Sequence, residues 1–443
     1  MSWLLRFRLR SYLRNSLWPT PVAAIPLAIA AAALSRSRWT QWGMLGFAPD
    51  GARALLAGLV PATLTFIVLI LSTLLLSIQL ASSQFSPRLI GGLLAHRPIK
   101  LCLGVFTFSF VYSAAALGRV ESRVPQFQVF LAIVCTVISV GVGLYLVDYM
   151  AKELRPIRLM ARTATMGRAA VEQMYPCPVS DVAAGPAVAE PLAASGPCPP
   201  GSSQTVANKR PGVLLELDEE GICALAESAG CRVEVVPRVG DFVGMGQPLF
   251  RVRPPLDAIH VQRLVNSLAF GNERTPEQDP EFAFRILVDV ACKALSPAVN
   301  DPTTAVIAID QIHNLLRLVG QRRLDVGVRR DGRGNLRLTY PTPGWIDFVL
   351  LAVIEIRHYG RDSIQVARRL RAMLTDLVSV VPPDRAAALV EQLALLQRGI
   401  ERNFPDPEDR VWAATSDTQG ICGSHPDGPG ASDFPEIATA EIA

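Results

Sequence analysis

The chain has 443 residues, of which 50% are hydrophobic, and its formal net charge is +4. The mean hydropathy of +0.29 is high for a fully soluble protein, and nearly all of this excess hydropathy comes from the residues before Met150. Because the charge is small and the arginines mainly flank apolar segments, the composition argues against nucleic-acid binding and suits lipid headgroups. It indicates an integral membrane protein with room for two or three domains.

Four apolar segments lie in the first part of the chain. About 20 helical residues are needed to cross a hydrocarbon layer about 30 Å thick, and prolines such as Pro21 and Pro26 in the first segment are tolerated within membranes. We therefore predict a four-helix transmembrane domain in residues 1–168. The predicted spans are Leu17–Leu34, Ala54–Leu80, Leu101–Gly118 and Phe127–Met150.

Basic residues are divided unequally between the two ends of these spans, with twelve on one side and five on the other. The positive-inside rule then places both termini in the cytoplasm. Lysine is rare, and its near-replacement by arginine, together with much Ala, Pro and Gly, is typical of a bacterial genome rich in G and C. We therefore expect a multi-pass protein of the bacterial inner membrane. The twelve are Arg6, Arg8, Arg10, Arg14, Arg88, Arg97, Lys100, Lys152, Arg155, Arg158, Arg162 and Arg168, and the five are Arg36, Arg38, Arg53, Arg119 and Arg123.

The second span carries a polar stripe. Thr65, Ser72, Gln79 and Ser86 recur every seven residues, and Ser83 lies close to the same helix face. One interpretation is helix–helix packing through small hydroxylated residues. The other is the water-lined face of a pore that several subunits build together. Both interpretations remain open at this stage.

A Pro/Ala-rich linker is predicted in residues 169–208, followed by a small β-rich module in residues 209–256. Gly212–Leu217 alternates as a strand, and the glycines before Phe242 and Pro248 indicate two turns. The pattern is similar to the half-barrel of biotinyl and lipoyl carrier domains. Those carriers need an exposed lysine, and none lies between Lys209 and Lys293, so a structural or interface role is favoured over a swinging arm.

Residues 257–412 are predicted to form a cytosolic helical domain, and residues 413–443 a disordered tail. Two helices begin at Pro280 and Pro302, where Asp279 and either Asn300 or Asp301 suit the cap position. The fold class is therefore a multi-pass α-helical membrane domain followed by a cytosolic α+β region. Further helices are predicted at Trp345–Tyr359, Asp362–Val380 and Asp384–Arg402, with a hairpin over Arg329–Thr339.

One polar group in the helical domain is a candidate anion-binding or interface site. A helix N-terminus attracts anions through its free N–H groups, and Arg285 is positioned to pair with Asp289 four residues later. The same residue types are ordinary helix caps, and an aspartate there would compete with an anion. The candidate residues are Arg285, Asp289, Asn300, Asp301 and Thr303.

The sequence carries no catalytic or cofactor motif. We find no Walker loop, no Gly-x-Ser-x-Gly elbow and no His-Glu-x-x-His pattern. The eight cysteines and five histidines are dispersed, without the short spacing of zinc sites or disulfide frameworks. We therefore expect no enzymatic activity, no cofactor and no metal.

Several strings together resemble an uncharacterised family of bacterial predicted membrane proteins, domain of unknown function 2254. The resemblance extends from the first span to about residue 404, and it implies four spans and a cytosolic C-terminal region. The family brings no established activity. The strings are Ser82–Arg88, Gly240–Leu249, Arg274–Pro280 and Ala294–Thr304.

Two functional classes remain. The first is a homo-oligomeric channel- or transport-like protein whose second helices line a conduit, with the cytosolic part as a vestibule. The second is a membrane-anchored sensor or scaffold whose cytosolic domain binds a partner. The polar stripe favours the first class. The scarcity of charge deep in the bilayer favours the second, since ion-coupled transporters usually carry such charges.

Overall fold

The computed structural model describes residues 3–38, 46–84, 97–121, 124–153, 155–179, 203–272, 274, 279–324 and 327–423. The chain divides into two compact units. One is Arg8–Leu159, and the other is Met160–Ala443 together with Met1–Phe7. All strands of the described chain belong to the second unit.

The early part of the chain is helical, and three of its helices are long and apolar enough to cross a membrane. They are α3, α4 and α5 of the series α1 (Trp3–Asn15), α2 (Pro19–Arg38), α3 (Pro49–Gln84), α4 (Arg97–Leu117) and α5 (Gln126–Glu153). Helix α2 coincides with most of the first predicted span, but its apolar part, Pro19–Ser35, is shorter than the three candidate spans. At about 1.5 Å per residue it reaches only about 26 Å, less than the hydrocarbon thickness of about 30 Å.

Helix α2 nevertheless packs tightly in its unit through alanines. Ala28 and Ala32 are fully buried in one core cluster with Tyr112 of α4. The carbonyl oxygen of Ala32 accepts hydrogen bonds from Gln128 Nε2 at 2.9 Å and from Arg119 Nη1 at 2.5 Å. Small side chains let helix backbones approach closely, so these long polar side chains can reach the α2 backbone.

The strands of the second unit form two sheets. The elements are β1 (Gln204–Ala207), β2 (Gly212–Leu217), α7 (Glu219–Ser228), β3 (Arg232–Val235), β4 (Phe242–Val243), β5 (Pro248–Arg253), α8 (Ala258–Val265), β6 (Leu268–Gly271), β7 (Val328–Arg330) and β8 (Leu336–Thr339). One sheet has the order β1-β5-β3-β8-β7, and the other has the order β4-β2-β6. The β3–β8 pair is parallel, and the other pairs are antiparallel.

The two predicted turns are confirmed, because Gly240 and Gly246 have φ values of +95° and +83°. The strands that follow them, β4 and β5, belong to different sheets, so the half-barrel is not confirmed. Strand β6 pairs with β2, and β8 pairs with β3. The strand region thus extends past the boundary expected at residue 256. The sequence did not predict this, because a short strand does not reveal its distant partner.

The remaining helices of the second unit form its helical domain, and the predicted helices lie there within a few residues of their expected bounds. Asp279 and Asp301 are the N-caps of α9 and α10, accepting hydrogen bonds from the backbone N–H groups of Phe282 and Thr304. The helices are α6 (Pro156–Met174, of which the part from Met160 belongs to this unit), α9 (Pro280–Ala294), α10 (Pro302–Gly320), α11 (Trp345–Tyr359), α12 (Ile364–Val380), α13 (Pro383–Asn403) and α14 (Pro407–Ala414).

Aromatic side chains form the centre of the helical domain. The rings of Phe284 and Phe348 lie 5.3 Å apart, and Tyr175 meets Phe348 edge-on at 6.3 Å. The Tyr175 hydroxyl donates a hydrogen bond to the Pro343 carbonyl at 3.0 Å. Helix α6 approaches α9 so closely that a Cβ at Gly167 would lie 2.6 Å from Ala283 Cβ.

Ordered contacts extend into both segments that the sequence assigns to the linker and the tail. Helix α6 continues to Met174, and Val179 N donates to the Gln321 carbonyl at 2.8 Å. In the tail, buried Asp417 accepts from the Cys422 N–H at 2.6 Å. Composition alone does not show such tertiary contacts. The remainder of these two segments, 180–202 and 424–443, lies outside the described residues.

Candidate functional site

Helix α3 uses one narrow face to pack within its unit. The buried positions are Ala52, Leu56, Thr63, Ile70 and Leu74, with relative exposures of at most 7%. Their spacing of four and seven residues keeps them on one side of an α-helix. The Thr63 hydroxyl donates to its own helix backbone, so the only polar side chain on this face is satisfied.

The predicted polar stripe lies on the opposite side of α3. Thr65, Ser72 and Gln79 are all exposed. At about 100° per residue, their mean direction is about 180° from that of the buried face. Ser83 belongs to the last turn of α3, but its side chain is outside the described residues, as is the whole of Ser86.

Two glycines extend this stripe toward the start of the helix. Gly51 and Gly58 precede Thr65 at the same seven-residue spacing, and a Cβ at either would meet no atom within 4 Å. Sequence reasoning missed them, although the spacing itself was a usable signal. A seven-residue repeat of small and polar residues suits close left-handed packing between helices. We call Gly51, Gly58, Thr65, Ser72 and Gln79 the α3 stripe.

In the helical domain, Arg285 lies in a half-buried ion network. Its Nε donates to Asp289 Oδ1 at 2.7 Å, as the four-residue spacing predicts. Two further bonds, of 2.5 and 2.6 Å, join its terminal nitrogens to the two oxygens of Glu355 on α11. Glu355, the largest cause, raises the pKa of Arg285. Sequence reasoning missed Glu355 because it lies on a distant helix.

The Asn300–Asp301 segment forms a helix cap. Asn300 has a φ of +47°, a left-handed conformation that asparagine tolerates better than most residues. Asp301 Oδ1 accepts from Thr304 N at 3.0 Å, and Oδ2 accepts from the Thr304 hydroxyl at 2.5 Å. Thr303 is exposed. The described side-chain partners of Asp301 lie in its own helix, whereas those of Arg285 lie on α9 and α11, so no described side-chain contact joins the two groups.

A second ion network links α10 and α12. His313 Nε2 lies 2.7 Å from Asp376 Oδ2, which Arg317 also contacts. Arg369 Nε donates to Asp310 Oδ1 at 2.5 Å. Burial lowers the pKa of His313, against the opposing effect of Asp376. The two aspartates compensate the two arginines here, so this network serves to join the helices.

The C-terminal ends of α11 and α13 form a basic pocket that the sequence did not predict. We define the basic pocket by Arg357, His358, Arg361 and Arg402, with a volume of about 180 Å³. Gly360 permits the close approach of Val366, since a Cβ at Gly360 would lie 2.5 Å from Val366 Cγ1. The floor is apolar and consists of Ala367, Leu370, Leu396 and Ile400.

Another cleft of the second unit contains Arg238, Asp279 and Tyr340, but its volume is only about 40 Å³. That is room for a few water-sized groups. Across the described residues, no group of three or more His, Cys, Asp and Glu side chains is arranged to hold a metal ion. Among the described residues, the α3 stripe and the basic pocket are therefore the two surfaces that we consider as functional sites.

Comparison with known proteins identifies relatives over nearly the whole chain. Uncharacterized proteins of Mycobacterium bovis and Mycobacterium tuberculosis are each 28% identical over 454 residues, covering 98% of this chain and 86% of the relative. No solved structure gives a significant match. A family model described as a predicted membrane protein (DUF2254) matches residues 14–376. Because this match covers most of the sequence, the chain belongs to the DUF2254 family of predicted membrane proteins.

Proposed function

We propose that the protein is a homo-oligomeric, multi-pass membrane protein whose α3 helices pack together and line a channel- or transport-like path. The single observation that carries this proposal is the direction of the α3 stripe. Thr65, Ser72 and Gln79 point away from the unit's own core rather than into it. In a lone subunit they would face lipid.

Lipid exposure suits the members of the stripe unequally. Thr65 satisfies its hydroxyl by donating to the Pro61 carbonyl at 2.9 Å, so it can face lipid at little cost. The amide of Gln79 has two donors and one acceptor, and an unsatisfied amide in an apolar medium costs several kcal/mol. Contact with further copies of α3, or with water between them, would satisfy it. Gly51 and Gly58 would let those copies approach closely.

Cysteine substitution tests this arrangement at matched depth. S72C changes a residue on the stripe. L71C changes the preceding residue, which is also exposed but is not part of the stripe. In membranes, oxidation should cross-link S72C between subunits, and small polar thiol reagents should modify Q79C. The parent protein reports the background of native cysteines. Equal cross-linking of L71C and S72C, or an inert Q79C, would contradict the proposal.

The expected topology completes the proposal. We propose that α2 also crosses the membrane, as a fourth and shorter span that local thinning of the bilayer accommodates. With four spans, the twelve-to-five distribution of basic residues supports a bacterial inner-membrane protein with both termini in the cytoplasm. The second unit would then form a cytoplasmic vestibule, without enzymatic activity. Reporter fusions at each terminus test this directly, and a reporter active only in the periplasm would refute it.

A sensor or scaffold is the alternative function, and the basic pocket favours it. A membrane-anchored soluble unit with a charged pocket suits the binding of a ligand or partner. The two functions make different predictions for S72C, because a sensor or scaffold needs no contact between α3 helices. Ligand binding by the basic pocket, without any S72C cross-link, would support the sensor.

A further inference from the structure

The basic pocket of α11 and α13 contains more positive charge than its surroundings compensate. Arg357, Arg361 and Arg402 line it, and no carboxylate is among its described lining residues. Arg398 lies close enough to act on Arg357 through its charge. Three arginines thus border one small volume, and the charge of a fourth acts on one of them from outside its lining.

The C-terminal ends of the two helices compensate only part of this positive charge. Arg357 and Arg402 lie in the last turns of α11 and α13, where cations complement the helix dipole. Two helix C-termini supply together about one negative charge. Asp362 is 3.4 Å from Arg361, but both side chains are more than half exposed, so this pair contributes little. About two of the three positive charges of the lining arginines therefore remain uncompensated.

The charge of Arg357 is destabilised by burial and by its arginine neighbours. Burial and then the charges of Arg402 and Arg398 lower its pKa. Its Nε atom is buried and has no hydrogen-bond partner among the described residues. An anion in the pocket would accept hydrogen bonds from Arg357 and relieve the repulsion between the arginines.

We infer that the basic pocket binds the phosphate group of an anionic ligand, with Arg357 at its base and Arg361 and Arg402 at its rim. A volume of about 180 Å³ holds several water-sized groups, and a phosphate with part of its substituent is of this size. Guanidinium groups bind phosphate oxygens through paired N–H donors. The apolar floor, which includes Leu370 and Leu396, suits a non-polar portion next to the phosphate. This inference does not depend on the proposed oligomer.

Inorganic phosphate is the probe for the first experiment, applied to the full-length protein in an uncharged detergent. Thermal unfolding is compared in phosphate and in chloride of equal ionic strength, and phosphate affinity is measured by equilibrium dialysis. Phosphate should raise the unfolding temperature of the parent. R357Q and R402Q should each weaken phosphate binding by about tenfold or more. R251Q is the control, because Arg251 lies on β5 and is paired with Glu234 of β3, and neither residue lines the basic pocket.

R357Q separates binding from folding. In chloride, this variant should unfold at a higher temperature than the parent, because it removes a partly buried charge that neighbouring arginines repel, yet it should lose the response to phosphate. Exposed Arg402 provides a second variant that does not disturb the core. A parent that does not respond to phosphate, or equal phosphate binding by the parent, R357Q and R402Q, would overturn the inference.

A second arm identifies the source of the phosphate group. The protein is placed in phosphatidylcholine nanodiscs with or without phosphatidate, and phosphate binding is measured again. Competition by phosphatidate assigns the basic pocket to a lipid headgroup. Unchanged phosphate binding assigns it to a soluble phosphorylated molecule. Absence of phosphate binding in both kinds of nanodisc counts against the pocket.

Discussion

The ion network at Arg285 makes a quantitative prediction for the Glu355→Gln substitution. Glu355 accepts two hydrogen bonds from Arg285, and this pair joins α11 to α9. The neutral amide of the variant keeps nearly the same size but loses the charge and one acceptor. Asp289 would remain as the only carboxylate that contacts Arg285 among the described partners.

The expected loss follows from the exposure of the two side chains. Arg285 is 25% exposed and Glu355 is 43% exposed. Breaking a fully buried pair costs about 3–5 kcal/mol, whereas an exposed pair is worth about 0–1 kcal/mol. A half-buried pair with two hydrogen bonds lies between these limits. We therefore expect Glu355→Gln to lower the free energy of unfolding by about 1–2 kcal/mol. For a unit of this size, that loss lowers the unfolding temperature by about 2–8 °C.

Thermal unfolding of the full-length protein in detergent, followed by tryptophan fluorescence, measures this effect. The control is E234Q, which breaks the more exposed Arg251–Glu234 pair, joined at 2.7 Å, and should shift the transition by about 0–4 °C and by less than E355Q does. An E355Q transition within the error of the parent, or a shift no larger than that of E234Q, would refute the reasoning.

Three further substitutions test the fold. Burial raises the pKa of Asp331, but hydrogen bonds from Asn335 and neighbouring donors outweigh it and lower the pKa overall. The Asp331 carboxylate therefore stabilises the fold fully above the unfolded-state pKa of about 3.9, and this stabilisation is lost as the pH falls further. D331N should flatten the acid end of a plot of unfolding temperature against pH. An unchanged plot would contradict this. G240A should cost about 1–3 kcal/mol, since φ is +95° and the added Cβ would lie 2.1 Å from Arg274 Nη2; an unchanged unfolding temperature would count against that strain. F348A should cost about 3–5 kcal/mol because Phe348 is fully buried, and a denaturant titration showing less than about 1 kcal/mol would exclude it from the core.

Local signals in the sequence determined the helices of the second unit well. Helices α9 and α10 begin at Pro280 and Pro302, each preceded by an aspartate that caps the first turn. Cap, proline and apolar spacing all lie within a few residues of one another, so they are visible in the sequence. The partners of short strands are not. The parallel pairing of β3 with β8 joins Val233 to Leu338, and no local pattern specifies it.

The two candidate surfaces also combine local features, which the sequence predicts, with long-range features, which only the fold shows. The polar part of the α3 stripe was found because its period lies within one helix. Its direction depends on the packing of α3 against its neighbours, which the sequence does not display. Arg357 and Arg402 lie on different helices, and each occupies a last turn, where a cation is expected in any case. Only the fold shows that their charges converge.

The oligomeric state of the purified protein tests the central proposal most directly. Native mass spectrometry from lipid nanodiscs, followed by imaging of the same sample, would count the subunits and locate α3. The proposal predicts a closed, symmetric assembly of at least three copies, with Ser72 and Gln79 of each copy facing the central axis. A monomer, or an assembly in which these residues face lipid, would contradict it.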